Sequence, residues 1–318
     1  MTPEQSTWFA ETFSALAENV SRVLLGKDRT VRLALTAMVA EGHLLLEDAP
    51  GTGKTSLAKA LAATVQGTHH RIQFTPDLLP SDVTGVTIYD QGTARFEFHP
   101  GPVFATIVLA DEINRASPKT QAALLEVMEE GNVTVDGVSR PVGRPFMVIA
   151  TQNPIEQAGT YRLPEAQLDR FLIKTSLGYP DRASTVEILA GAKDRTVGLG
   201  ARITTEAVGT MADLARTVHI DPVVLDYVAR ITEATRDDSQ TALGASVRGG
   251  LALVRTAKVW AAAQGREYVL PDDVKDLAQP VLAHRLVLDA EAEFAGVTAV
   301  DVLARLLDQV APPVLRAA

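Results

Sequence analysis

One short stretch limits the possible folds of this chain more than any other. Leu44-Leu45-Leu46-Glu47 runs straight into Asp48-Ala49-Pro50-Gly51-Thr52-Gly53-Lys54-Thr55, and a helical pattern spans Lys54–Gln66. Strand, glycine-rich loop and helix in immediate succession are the setting that a phosphate-binding loop requires. Glycines let backbone amides turn inward, the helix N-terminus adds partial positive charge, and a lysine reaches the outer phosphates. Lys54 is that lysine, and Thr55 places a hydroxyl where Mg²⁺ would need one. The expected nucleotide-binding set is Asp48, Ala49, Pro50, Gly51, Thr52, Gly53, Lys54, Thr55 and Ser56. Asp48 stands where the strict pattern has glycine, while the core Gly51-Thr52-Gly53-Lys54-Thr55 is intact.

A second piece of chemistry lies 55 residues further on. Thr106–Ala110 reads as a buried strand ending in Asp111-Glu112, two carboxylates at the strand edge where ligand sites of α/β sheets form. Asp111 is expected to hold Mg²⁺ and Glu112 to polarise the attacking water. Asn153, just past the strand Phe146–Ala150, offers a neutral amide that can orient water or touch a γ-phosphate. His69-His70 has no third ligand at metal spacing and reads as a strand-edge pair.

The rest of the chain gives these motifs a frame. Short apolar runs alternate with helical patterns, the signature of a parallel sheet. The expected strands are His43–Glu47, Arg71–Phe74, Thr106–Ala110, Phe146–Ala150 and Phe171–Leu177. Helices are expected at Pro3–Leu25, Asp28–Glu41, Lys54–Gln66, Pro118–Glu130 and Pro164–Arg170, with Ser117 capping the fourth and proline opening the last two. Two hairpins interrupt this order, Val86–Asp90 with Ala94–Phe98 around Gln91-Gly92, and Asn132–Val135 with Ser139–Val142 around Asp136-Gly137. After Tyr179-Pro180 the strand signal nearly vanishes, and Thr205–Thr217, Pro222–Thr235, Ser246–Gln264, Pro271–Leu286 and Val300–Val310 read as helices. We therefore expect an α/β nucleotide-binding core over 1–180 and a helical domain over 181–318.

Composition excludes several classes. Thirty Lys plus Arg against 39 Asp plus Glu give a net charge of −9, which opposes unspecific binding to nucleic acid or anionic lipid. Cysteine is absent, so no thiolate metal site, disulfide or cysteine nucleophile is available. No apolar run approaches the roughly 18–20 residues that span a bilayer, and Glu4, Glu11 and Glu18 interrupt the N-terminus where a signal peptide would be apolar. A cytoplasmic location is expected.

Three stretches together resemble a known family. Leu109-Ala-Asp-Glu-Ile-Asn-Arg-Ala-Ser-Pro-Lys-Thr-Gln-Ala-Ala-Leu-Leu-Glu-Val-Met-Glu-Glu130, Ala150-Thr-Gln-Asn-Pro154 and Leu163-Pro-Glu-Ala-Gln-Leu-Asp-Arg-Phe171 are similar to the signatures of MoxR-type AAA+ ATPases. Such proteins commonly lack the first glycine of the loop, as here at Asp48. The resemblance implies an AAA+ P-loop core with a parallel sheet flanked by helices, two hairpin inserts and a small all-helical lid. It implies a homo-oligomeric ring, commonly a hexamer, with ATP sandwiched between subunits. It makes Asn153 the sensor-one residue, Arg170 the arginine finger acting on the neighbour's nucleotide, and Arg248 the sensor-two arginine, with Val247 where proline is common. Arg162 is the nearest rival finger. Val23–Lys27 resembles the adenine-side loop, with Gly26 allowing close approach of the base.

The function so implied is that of a Mg-ATP-hydrolysing chaperone that remodels or matures a client complex, including metal-cofactor insertion, together with a von Willebrand A domain protein. A chelatase-type motor subunit is close in architecture. An MCM-like nucleic-acid motor shares the hairpins, but the tips Asp90-Gln91-Gly92-Thr93 and Asp136-Gly137 lack the cations that track phosphates.

Overall fold

The computed structural model describes residues 1–49, 51–153, 160–161, 163–190 and 199–313. In chain order the elements before the first hairpin are α1 (Pro3–Ser21), α2 (Asp28–Val39), β1 (Leu44–Glu47), α3 (Lys54–Thr64), β2 (His69–Gln73) and α4 (Pro80–Thr84). Then follow β3 (Gly85–Asp90), β4 (Arg95–Pro100), β5 (Ile107–Asp111), α5 (Pro118–Glu130), β6 (Asn132–Val135), β7 (Val138–Pro141), β8 (Met147–Gln152), α6 (Glu165–Leu168) and β9 (Ile173–Thr175). The C-terminal part holds α7 (Arg182–Leu189), α8 (Thr205–Arg216), α9 (Pro222–Asp237), β10 (Thr241–Leu243), α10 (Val247–Ala262), α11 (Pro271–Leu282), β11 (Val287–Leu288), α12 (Ala290–Phe294) and α13 (Ala299–Gln309).

A five-stranded sheet in the order β2-β5-β8-β1-β9 carries the first part, and every pairing in it is parallel. Parallel strands covered on both faces need apolar residues at every position, and alternate side chains enter two different cores. Leu44, Leu46, Ile107, Leu109, Met147 and Ile149 pack with Phe9 and Phe13 of α1, Leu57 of α3 and Tyr227 and Leu253 of the helical part. Leu45, Val108, Ala110, Val148 and Ala150 pack with Leu124 and Leu125 of α5 and with Phe171.

Helix ends follow local chemistry. The Ser117 hydroxyl accepts the Thr120 amide at the start of α5, and Asp221 accepts the Val223 amide at the start of α9, each satisfying a donor that the first turn leaves orphaned. Pro164 is the cap of α6 rather than its first residue. The β6–β7 hairpin turns through Asp136 and Gly137, both at positive φ, as a two-residue primed turn requires. The β3–β4 turn is longer than Gln91-Gly92 suggested: four residues separate the strands, Ala94 takes the left-handed conformation, and Asp90 accepts the Gly92 amide and the Thr93 hydroxyl. Tyr89 and Phe96 lie exposed across that hairpin with ring centroids 5.1 Å apart.

Among its described residues the C-terminal part contains three features that were not placed individually from the sequence. β10 and β11 pair antiparallel, α7, capped by Asp181, is separated from β9 by residues 176–181, and the short α12 follows β11.

Candidate functional site

The expected loop closes the C-terminal end of β1. Gly51 and Gly53 have φ of +83° and +99°, and Gly53 is the left-handed cap of α3, a conformation in which a side chain is strained. Lys54 Nζ donates to the carbonyl oxygens of Ala49 at 2.9 Å and Asp48 at 3.2 Å, and the Thr52 hydroxyl donates to Ala49 at 3.3 Å. The lysine thus rests its charge on two peptide dipoles, a weaker partner than an anion would be. Thr55 and Ser56 are half-buried in the first turn of α3. Leu24 reaches over Gly53, its Cδ2 standing 3.3 Å from where a Cβ would sit, and Gly26 beside it takes φ +66°. Pro50, together with Arg162, lies outside the described residues.

Two strands away the carboxylates form one connected group. Asp111 ends β5 and lies beside Thr151 of β8. The Thr151 hydroxyl donates to Asp111 Oδ1 at 2.6 Å and accepts the Glu112 amide at 2.9 Å. Glu112 itself is left-handed, with φ +57° and ψ +50°. For a residue with a side chain this backbone costs on the order of 1–3 kcal/mol, and such strain collects where function positions a group. Glu112 Oε2 meets Arg115 Nη1 at 2.8 Å and Gln73 Nε2 at 3.1 Å. Asp111 Oδ2 is held by Arg71 from β2, through Nη2 at 2.6 Å and Nε at 3.2 Å. Asn153 follows β8 and is buried. The loop, the carboxylate pair and Asn153 therefore all stand at the C-terminal edge of three adjacent strands, β1, β8 and β5.

The two arginines form a separate group. Arg170 Nη2 is 2.8 Å from Glu129 Oε2 at the end of α5, and Arg248 Nη2 is 3.5 Å from Oε1 of the same carboxylate. Both line a 480 Å³ cavity with Glu41, Arg216, Arg255 and Arg285. No described residue of the phosphate loop lines that cavity. The buried Arg285 fixes the approach to Arg170 by gripping Asp169 Oδ1 at 2.7 Å and the Phe171 carbonyl at 2.8 Å.

Arg71, Gln73, Thr151 and Glu129 are the site residues that sequence reading missed. Thr151 had a signal, a hydroxyl at an inward position of an apolar strand. Arg71 and Gln73 alternate with the buried Ile72, which reveals a polar face but not which strand it borders. Glu129 had none.

The donor set suits magnesium, which prefers a few hard oxygens and completes its shell with water and phosphate. Thr55 and Asp111 supply such oxygens. No group of three or more His, Cys, Asp or Glu converges among the described residues, so an ion here would depend on the phosphates of a bound nucleotide.

Comparison with known proteins identifies the family of the chain. Residues 43–173 match the model of the ATPase family associated with various cellular activities, and residues 233–306 match an AAA lid domain. The chain is 47% identical to the uncharacterized protein YeaC of Bacillus subtilis over 303 residues, 95% of each chain. It is 41% identical to the chaperone MoxR1 of Mycobacterium tuberculosis, covering 94% of this chain and 81% of that one. Against the protein MoxR of Paracoccus denitrificans the identity is 34%, over 91% and 92%. A crystal structure from Cytophaga hutchinsonii, 38% identical, matches with a TM-score of 0.90 over 97% of both chains. The chain belongs to the MoxR family of AAA+ ATPases, and it is an ATP-hydrolysing enzyme.

Proposed function

We propose that this protein is a ring-forming, Mg²⁺-dependent ATPase that works as a chaperone on a client complex. The observation that carries the reading is the convergence of Lys54, Asp111, Glu112 and Asn153 at the C-terminal edge of adjacent parallel strands, where α/β sheets bind ligands. In this reading the loop amides and Lys54 take the β- and γ-phosphates, and Thr55 and Asp111 would hold Mg²⁺, which neutralises phosphate charge when bound. Glu112 orients and polarises the attacking water, and Asn153 aligns it with the γ-phosphate. Gly26 lies against the base.

Arg170 and Arg248 act together on the neighbouring subunit's nucleotide. Their shared anchor on Glu129, and a cavity without described loop residues, support work in trans. A guanidinium at a γ-phosphate spreads positive charge over oxygens that gain negative charge in the transition state. Residues 1–180 would form the motor and 181–318 the lid. The hairpins β3–β4 and β6–β7 project as levers, and the exposed Tyr89 and Phe96 offer the client an aromatic contact surface.

A relative named as a chaperone supports client remodelling, which in this reading extends to metal-cofactor insertion with a von Willebrand A domain partner in the cytoplasm. Among the described residues no helix is long and apolar enough to cross a membrane. The test is an ATP-dependent pull-down with the Glu112→Gln variant as a trap, followed by mass spectrometry. Enrichment of one protein complex with ATP and not with ADP is expected. Hydrolysis stimulated by DNA and steeply weakened by salt would overturn the reading in favour of a nucleic-acid motor.

A further inference from the structure

A carboxylate in a phosphate loop is an electrostatic contradiction, because aimed at a triphosphate it would repel it. Asp48 resolves the contradiction by facing the other way. It is 5% exposed, with Oδ2 accepting the Leu177 amide at 2.6 Å and Oδ1 accepting the Gly178 amide at 2.8 Å. Two backbone N–H groups on one ionised carboxylate are strong, short hydrogen bonds.

The backbone of Asp48 is committed as well. Its N–H donates to the Gln152 carbonyl of β8 at 3.1 Å, and its carbonyl accepts from Lys54 Nζ. One residue therefore joins the central sheet, the loop lysine and residues 176–181, the connector between β9 and α7.

That connector is held from its other side by the segment opposite the loop. Lys27 Nζ donates to the Tyr179 carbonyl at 2.6 Å, and the Thr30 hydroxyl donates to the Ser176 carbonyl at 3.0 Å. A Cβ on Gly26 would stand 3.1 Å from Ser184 Oγ and 3.4 Å from Asp181 Oδ2. The connector is thus clasped between the phosphate loop and the Gly26–Lys27 turn, the two segments that face a nucleotide in the function proposed above.

We infer that Asp48 is a positioning residue that ties the phosphate loop to the connector into α7 and does not touch nucleotide. The inference rests on that functional reading for what moves the loop. When Lys54 leaves the Asp48 and Ala49 carbonyls for a phosphate, the first peptides of the loop lose their shared cation and shift. The Asp48 carboxylate carries that shift to Leu177 and Gly178, and so to α7. A glycine at this position would bind phosphate as well and transmit nothing.

The experiment compares Asp48→Gly and Asp48→Asn with the full-length parent. It uses hydrogen exchange over residues 176–189, with and without a non-hydrolysable ATP analogue, beside calorimetric affinity for that analogue. In the nucleotide-free Asp48→Gly variant, the amides of Leu177 and Gly178 should exchange at least about tenfold faster, the scale of one lost charge-assisted hydrogen bond. The nucleotide-dependent difference over 176–189 should vanish, affinity should stay within about threefold of the parent, and kcat should fall with little change in KM. Asp48→Asn, which keeps one acceptor oxygen, should restore part of the protection and part of kcat, and it serves alone if the glycine variant does not fold. An affinity loss beyond about tenfold would overturn the inference by making Asp48 a nucleotide contact, and so would a nucleotide response over 176–189 that survives in Asp48→Gly. The nucleotide-free exchange rates test the clasp even if the parent fails to bind ATP, so failure of the functional reading is seen separately.

Discussion

Arg71 grips Asp111 with two nitrogens on a single carboxylate oxygen, Nη2 at 2.6 Å and Nε at 3.2 Å. The arginine comes from the edge strand β2 and is half exposed, whereas the Asp111 side chain is only 13% exposed. A cation from the protein thus neutralises part of the carboxylate charge that, in the function proposed above, would attract Mg²⁺ and its water shell.

Arg71 and Mg²⁺ should therefore compete. An ion pair this exposed is worth roughly 0.2–1 kcal/mol, so Arg71→Ala should lower the Mg²⁺ concentration for half-maximal nucleotide binding by at most about fivefold. Calorimetric titration of Mg²⁺ into the protein with ATP analogue reads this directly. A raised requirement would mean that Arg71 helps to hold the metal-bound state.

Glu112 is held by Arg115 and Gln73 in a strained backbone, and its amide is fixed by Thr151. Glutamine at 112 keeps the shape and removes the charge that, in the function proposed above, polarises water. Glu112→Gln should bind ATP with parent-like affinity and hydrolyse it at least about 100-fold more slowly, the scale of losing a general base. Parent-like turnover would place the base elsewhere.

Arg170 and Arg248 share Glu129. Arg170→Ala should abolish hydrolysis and leave nucleotide binding nearly unchanged, while Lys54→Ala should abolish binding. Mixing the two variants should restore partial activity, because some interfaces then pair an intact loop with an intact finger. Absence of rescue in rings shown to assemble would count against action in trans.

His43 predicts a pH dependence. Its ring is buried, with Nδ1 accepting the Val148 amide and Nε2 donating to the Met128 carbonyl, both at 3.0 Å. Burial is the main cause that pushes its pKa down to about 4. A depressed histidine stays neutral in the folded chain while the unfolded chain takes up a proton, so its stabilisation is complete above about pH 6.5 and is lost as pH falls toward 4. At about 1.4 kcal/mol per pKa unit the loss is on the order of 3 kcal/mol. Denaturant unfolding between pH 7.5 and 4 should show that decline, with a shallower slope in His43→Gln. Equal slopes would mean that other groups carry it.

Much of the fold was legible because its signals are local. β1, the phosphate loop and α3 follow from consecutive residues, and α5 begins and ends where Ser117, Pro118 and Gly131 place it. α7 falls in the stretch expected to be helical, but its bounds were not placed because Arg182–Leu189 has no regular apolar stripe: Val186, Ile188 and Leu189 are all exposed. β10 and β11 escaped because two or three residues are too few to show alternation.

The candidate site divides along the same line. Which residues could do the chemistry was readable, since Lys54, Thr55, Asp111, Glu112 and Asn153 sit in motifs whose spacing is set by one loop or one strand end. What each does in the folded chain was not. Asp48 faces Leu177 across 129 positions of sequence, Arg71 faces Asp111 across 40, and Glu129 meets Arg170 across 41 and Arg248 across 119. Sequence determines local geometry and which faces are apolar, because those depend on neighbours a few residues away. Strand order and helix packing decide which charge meets which, because an ion pair depends on distance in space, and only the folded chain brought these groups within 4 Å.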